Sequence, residues 1–308
     1  MKGLPGTPVI LHCHVPKTAG ITVSRRFAKS FDTLHFHHYH PDPAFILTAE
    51  RLDTFIQINP WLQSITSHSL RSFPQTVGGR KACYVTFLRD PTAAFLSLLR
   101  YTKRMYHLLS PEVRQRWPKK TPELPLKDLA LVYLDQLGGE EASQQTRFFC
   151  SGRTMAAIGR GAESDYGHTC CPVARLILEN FFMVGVVEHL DKSLRLLDVR
   201  LRQVGLELYL RWMRKHNSSR WHSRESWLNP DDPVGSRVLK ANESDCLLYN
   251  EFRKRLLSAY QAEVAARYPT PSLENTLLSG GDSTPDPEKP LDLWAAERFA
   301  RTMLAPAD

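Results

Sequence analysis

Residues 14–22, with the sequence His-Val-Pro-Lys-Thr-Ala-Gly-Ile-Thr, have the residue types of an anion-binding turn. They follow a short run of β-branched residues and lead into an amphipathic segment, which predicts a strand, a turn and a helix. The first amides of a helix have no intrahelical acceptor, and the helix dipole favours a negative charge there. Lys17 adds a positive charge, and Gly20 lets a ligand approach the backbone closely. Thr18 and Thr22 carry hydroxyl groups that can donate hydrogen bonds.

This turn is not a Walker A loop. The pattern GxxxxGK[ST] is absent, because Lys17 precedes the glycine and residues 14–22 contain a single glycine. Taken by itself, the stretch is also compatible with an ordinary strand–helix turn that carries a surface lysine.

A second candidate anion site follows another predicted strand. Arg89 ends an apolar run, Asp90 suits a helix N-cap and Pro91 suits the first helical position. Ser97 lies about two turns into that helix, on the same face as Asp90. Open α/β sheets bind ligands at the carboxyl ends of their strands, so both turns can face one crevice. The alternatives are a buried ion pair for Arg89 and a hydrogen bond from Ser97 to the carbonyl of Ala93.

Strands alternate with helices along the chain, which predicts an α/β fold. Strands are predicted at residues 8–15, 62–68, 82–88 and 181–187. Helices are predicted at residues 17–31, 44–59, 92–106, 126–137, 139–149, 191–204 and 244–268, with an exposed excursion at 109–127. The expected architecture is a P-loop-like sandwich in which helices flank a central, mainly parallel sheet.

Composition and charge limit the class of protein. The 308 residues are predicted to form one domain over residues 1–269, followed by a linker-like tail at 270–308 with a short helix at 291–304. The net charge of +8 favours an anionic partner, but the named DNA and RNA motifs are absent, so nucleic acid is not expected. No apolar run is long enough to span a bilayer, and a cytoplasmic protein is expected. The six cysteines lack a CxxC pair and are interpreted as reduced thiols.

Five stretches together resemble the sulfotransferases that use 3′-phosphoadenosine 5′-phosphosulfate. They are HVPKTAGIT, VTFLRDPTAAFLSLLRY, QQTRFF, FFMVGVVEHLDKSLRLL and ANESDCLLYNEF, in the family's order over roughly residues 8–265. The resemblance is to the carbohydrate branch, which includes heparan sulfate 2-O- and 6-O-sulfotransferases and bacterial relatives. The combination of the five stretches is far more specific than any one stretch.

The resemblance implies where the donor nucleotide would bind. The 5′-phosphosulfate would be held by the side chains or amides of Lys17, Thr18, Ala19, Gly20, Ile21 and Thr22. The 3′-phosphate would be held by Arg89 and Ser97. This chain has Ile21 where the family usually has Ser or Thr, which removes one hydroxyl contact and keeps the amide.

The resemblance also implies catalytic roles. Negative charge grows on the bridging oxygen of the leaving phosphate, and Lys17 is the expected cation there. The acceptor hydroxyl must lose a proton, and His68 at the end of the second predicted strand is the candidate base. A histidine bonded to a loop carbonyl and an acidic base are the alternatives. His14, Gln145 and Arg147 are candidate acceptor contacts, although polar residues at the ends of a helix explain the last two equally well.

Residues 34–43 contain His35, His37, His38 and His40, which makes a Zn or Ni site conceivable. Only Asp42 adds a carboxylate, so an exposed loop is predicted there, with sugar-contacting histidines as a second interpretation. Sulfuryl transfer demands no metal, and none is expected. A polar loop is also predicted at residues 216–220.

Two other functions stay open at this point. A nucleotide-dependent kinase would need Mg²⁺ ligands and a Walker-type loop, neither of which is evident. A catalytically silent binder of nucleotide or acidic glycan would equally suit the positive charge. The expected acceptor is a carbohydrate or another hydroxyl compound, small or lipid-linked; its identity and the oligomeric state stay open.

Overall fold

The computed structural model describes residues 6–40, 45–108, 111–115, 117–136, 142–150, 154, 170–210 and 225–265. The strands are β1 (Val9–Cys13), β2 (His35–His38), β3 (Ser64–Ser67), β4 (Thr76–Val77), β5 (Arg80–Leu88) and β6 (Met183–Val186). They form one six-stranded sheet in the order β2-β3-β1-β5-β4, with β6 also paired to β5. Only the short β4 runs antiparallel to its neighbour. The predicted mainly parallel α/β sheet is confirmed.

The helices surround this sheet. They are α1 (Gly20–Phe31), α2 (Ala49–Ile58), α3 (Pro91–Met105), α4 (Pro111–Arg114), α5 (Leu126–Gln136), α6 (Gln144–Cys150), α7 (Cys170–Glu179), α8 (Leu190–Arg202), α9 (Pro233–Ala241) and α10 (Glu243–Tyr260). None of those in the described ranges is long and apolar enough to cross a membrane.

The central strands are buried on both faces, as their continuous apolar sequences predict. Every residue of β1 is buried, and Ile10 lies between Ser64 of β3 and Cys83 of β5 in register. Parallel strands in one sheet bring their carboxyl ends to the same edge. The turns that follow β1, β3 and β5 therefore meet at this edge.

Helix α3 begins as the sequence predicts. Pro91 occupies its first turn, and the Asp90 carboxylate accepts a hydrogen bond from the amide of Ala93 at 2.9 Å. The later part of α3 leaves the sheet and packs in a second apolar cluster. That cluster includes Phe95, Leu99, Tyr133, Trp227 and Val238, which belong to α3, α5, α9 and the segment before α9.

Several elements differ from the sequence-based predictions. His35–His38 form an edge strand paired in parallel with β3, so the exposed loop predicted there is wrong. This strand is held by pairing with β3 and by histidine–serine contacts. Its sequence therefore lacks the alternation of apolar and polar residues that predicts a strand. Helices α7 and α9 were not predicted, and α6 begins at Gln144 rather than residue 139.

The interpretation of all six cysteines as reduced thiols is also wrong. Cys150, at the end of α6, is disulfide-bonded. Cys13, Cys83, Cys171 and Cys246 form no disulfide. The predictions of a tail at 270–308, a helix at 291–304 and a polar loop at 216–220 lie outside the described residues.

Candidate functional site

The turn between β1 and α1, residues 14–19, is here called the Lys17 loop. Two of its residues, Lys17 and Ala19, have left-handed backbone conformations, with φ of 66° and 61°. Such conformations are unfavourable for residues other than glycine and are concentrated at ligand-binding turns. Helix α1 follows directly, and no side chain of the described residues caps its first turn. Its first amides and the left-handed turns form a concave set of donors suited to an anion.

Gly20 is required by the close packing of the loop on His14. A Cβ atom at position 20 would lie 1.7 Å from two atoms of the His14 ring, so no larger residue fits without moving the histidine. His14 is only 5% exposed. Its ring therefore packs against the loop and is almost hidden from solvent, and its role as an acceptor contact stays a prediction.

The loop side chains contribute differently from what their types suggest. The Thr18 hydroxyl is fully buried and donates to the carbonyl of Val15 at 2.8 Å, so it shapes the turn and has no proton left for a ligand. Thr22 is buried as well, whereas Ile21 is 53% exposed.

Arg89 brings the second turn against the first. Its Nη1 atom donates to the backbone carbonyl of Lys17 at 3.1 Å. Its Nε atom is buried and finds no hydrogen-bond acceptor among the described residues. Burial lowers the pKa of Arg89, and the carboxylates of Glu188 and Asp90 oppose that effect. The guanidinium is thus held beside the Lys17 loop with one donor still available.

Gln145 fixes the backbone of Arg89, and both polar groups of its side chain are used in that contact. Its side-chain oxygen accepts from the Arg89 amide at 2.8 Å, and its Nε2 donates to the Arg89 carbonyl at 2.8 Å. The side chain is almost fully buried. Gln145 is therefore a positioning residue. Arg147, one helical turn from α6's start, is half-buried and has no such bond to Arg89 among those described.

The Lys17 side chain crosses to α3. Its Nζ atom lies 4.1 Å from the centre of the Tyr101 ring, a cation–π contact. Part of the Lys17 side chain is exposed, but its ammonium group is desolvated against the Tyr101 ring. This burial, followed by the charges of Arg104 and Arg89, lowers the pKa of Lys17 to about 7. Ser97, also on α3, is half-buried one turn before Tyr101.

His68 follows the last residue of β3 at the same edge of the sheet. Its Nδ1 lies 2.5 Å from the carbonyl oxygen of His14, and the two imidazole rings stack 4.0 Å apart. A carbonyl only accepts, so Nδ1 carries the proton and Nε2 keeps the basic lone pair. The predicted alternative, a histidine bonded to a loop carbonyl, is thus present together with the tautomer that a base requires.

Two histidines of β2, His35 and His37, lie between the sheet and α1. Ser24 of α1 contacts His35 Nε2 at 3.1 Å and His37 Nδ1 at 3.3 Å, while His35 also contacts Ser64 at 2.7 Å. Burial lowers the pKa of His35 and of His37 to about 4, so both are neutral near pH 7. No group of metal-ligating residues is found in the described part of the chain.

No family model matches the chain, and no curated protein matches it. The geometry therefore carries the functional argument. It brings Arg89 and the Lys17 loop together beside α3, and it packs His68 on His14, the first residue of the loop. Tyr101, Arg104 and Glu188 belong to the same neighbourhood and were not singled out from the sequence. Charged and aromatic residues on a helix are common, so only their spacing from Ser97 could have indicated them.

Proposed function

We propose that this protein transfers a sulfuryl group from 3′-phosphoadenosine 5′-phosphosulfate to a hydroxyl group, of a carbohydrate or glycolipid. The observation that carries the proposal is the 3.1 Å hydrogen bond from Arg89 to the carbonyl of Lys17. It makes two separate strand-end turns into one basic site. A nucleotide that has phosphates at both its 3′ and 5′ positions needs two neighbouring anion sites, and an ordinary mononucleotide needs one.

The reaction moves the sulfuryl group in one displacement. The acceptor oxygen forms a bond to sulfur while the bond from sulfur to the bridging phosphate oxygen breaks. The electron pair of that bond goes to the phosphate, which leaves as part of adenosine 3′,5′-bisphosphate. Lys17 and the amides at the start of α1 stabilise this growing charge more in the transition state than in the ground state.

His68 takes the proton of the acceptor hydroxyl at Nε2. The carbonyl of His14 accepts a hydrogen bond from Nδ1–H and stabilises the imidazolium that results. Because His14 also packs against Gly20, one buried residue orients both His68 and the Lys17 loop. His14 therefore acts as a positioning residue in this mechanism.

The test compares His68→Ala with the wild type in two assays. Transfer of labelled sulfate to a panel of sugars should fall by 100-fold or more in the variant, the usual contribution of a general base. Adenosine 3′,5′-bisphosphate should raise the melting temperature of both proteins equally without Mg²⁺, and more than ATP does. His107→Ala, which removes an exposed histidine, is the matched control and should keep full activity.

Three outcomes contradict the proposal. Wild-type transfer rates in His68→Ala would remove the base from the mechanism. Stabilisation by the bisphosphate with no transfer to any acceptor would favour a catalytically silent nucleotide binder, and stabilisation by ATP and Mg²⁺ alone would favour a kinase.

A further inference from the structure

A second basic side chain shares the Tyr101 ring with Lys17. The guanidinium carbon of Arg104 lies 6.0 Å from the ring centre, and the Lys17 ammonium lies 4.1 Å from it. Arg100, one turn earlier on α3, is paired with Glu225 at 2.8 Å. Arg104 is exposed, and it takes part in none of the ion pairs found in the described ranges.

The site therefore gathers three positively charged side chains, those of Lys17, Arg89 and Arg104. Lys17 lies close enough to both arginines for their charges to lower its pKa, after the larger effect of burial. The carboxylates of Glu188 and Asp90 favour the charged form of Arg89. Like charges in a partly desolvated site repel one another, and an anion with several charges removes that repulsion.

The spacing along α3 gives these cations an order. Ser97, Tyr101 and Arg104 are four and three residues apart, so they lie on one face of the helix. At 1.5 Å per residue, Ser97 and Arg104 are about 10 Å apart along the axis. Lys17 lies between them, over Tyr101.

That order matches the order of charged groups along the donor. With Arg89 and Ser97 at the 3′-phosphate and Lys17 at the 5′-phosphate, the next group is the terminal sulfate. Arg104 is the next cation beyond Lys17 on the same face. Its guanidinium has paired donors suited to the oxygens of a sulfate group.

We infer that Arg104, supported by the Tyr101 ring, binds the terminal sulfate of the donor and distinguishes donor from product. This inference rests on the proposed function, because it takes the positions of the two phosphates from it. It adds a specificity residue, since the product lacks the sulfate and loses this contact. Release of the product is then favoured over release of the donor.

The experiment measures two affinities by calorimetry without an acceptor. One ligand is 3′-phosphoadenosine 5′-phosphosulfate, and the other is adenosine 3′,5′-bisphosphate. Arg104→Gln should weaken binding of the donor about tenfold or more, as expected for loss of a hydrogen bond to a charged group. Binding of the bisphosphate should change less than about twofold, because its contacts are elsewhere. Arg25→Gln, which removes the same charge from an exposed position of α1, should change neither affinity.

A second pair of variants tests the aromatic support. Tyr101→Phe keeps the ring and should bind the donor as the wild type does, whereas Tyr101→Leu should weaken it. If Arg104→Gln weakened binding of both ligands equally, or of neither, the inference would be overturned while the proposed function stands. Failure of the wild type to bind the bisphosphate would instead overturn the proposed function itself.

Discussion

At the scale of single residues, Lys17 has an unusual environment. Its ammonium group lies on the Tyr101 ring, and two arginine side chains are near it. Burial comes first among the causes that lower its pKa to about 7. In the ligand-free protein the lysine is therefore close to its titration midpoint at neutral pH. A bound phosphate favours the charged form and raises this pKa again.

Binding of adenosine 3′,5′-bisphosphate should consequently take up a proton. As the pH rises above 7, the free protein loses the Lys17 proton and must recover it to bind, so affinity falls by up to about tenfold per pH unit. The second ionisation of phosphate lies near pH 6 and does not contribute at pH 8. Calorimetry at pH 8 in two buffers with different heats of ionisation measures the uptake directly.

Lys17→Arg is the control for that titration. Arginine keeps the positive charge but does not titrate in this range, so the variant should bind with no proton uptake. An affinity that stays constant between pH 7 and pH 9 in the wild type would show that Lys17 does not touch the ligand.

The sequence predicted the positions of some candidate site residues but not the contacts of others, for physical reasons. Lys17 and Arg89 were predicted because each follows an apolar strand, and strand ends meet at one edge of a parallel sheet. Thr18 was misjudged because its type does not reveal that its hydroxyl turns inward to Val15. The Gln145 clamp depends on a contact between residues 56 positions apart, which no local pattern encodes.

At the scale of elements, α6 serves as a support for Arg89. The Asp245 carboxylate of α10 accepts from the amides of Gln145 and Thr146 at 3.1 and 2.7 Å. It also accepts from the Thr146 hydroxyl at 2.7 Å. Asp245 is nearly fully buried, so this capping contact is made without water. Three buried donors thus depend on one carboxylate.

Asp245→Ala should destabilise the protein and loosen the site together. The unsatisfied donors cost about 2–4 kcal/mol of the free energy of unfolding, by the usual penalty for buried polar groups. Bisphosphate affinity should also fall, because Gln145 would no longer be held against Arg89. Denaturant unfolding and calorimetry measure the two effects. Asp245→Asn retains one acceptor oxygen and should lose less stability and less affinity. If the unfolding free energy of Asp245→Ala lay within about 0.5 kcal/mol of the wild type, this role of Asp245 would be contradicted.

The elements themselves were predicted unevenly. Strands β1 and β5 and the start of α3 follow from continuous apolar runs and from the Asp90–Pro91 pair. Strand β2 was missed, since its stability comes from pairing with β3 and from histidine–serine contacts. Those contacts, such as His38 to Ser67 at 3.0 Å, form only after the sheet assembles.

At the scale of the whole molecule, α3 joins two structural regions. It begins at the sheet edge beside Arg89 and continues into the apolar cluster with Tyr133 and Trp227. The same helix carries Ser97 and Tyr101, so packing in the second cluster holds the helix whose Tyr101 ring contacts Lys17. One sheet edge and one helix thus define both ends of the site.

The central claim is that Arg89 and Lys17 hold opposite ends of one nucleotide. The most direct measurement is the ratio of affinities for adenosine 3′,5′-bisphosphate and adenosine 5′-monophosphate, which differ only in the 3′-phosphate. We expect the wild type and Lys17→Gln to prefer the bisphosphate about tenfold or more, and Arg89→Gln to lose that preference. A preference retained in Arg89→Gln, or absent from the wild type, would contradict the claim.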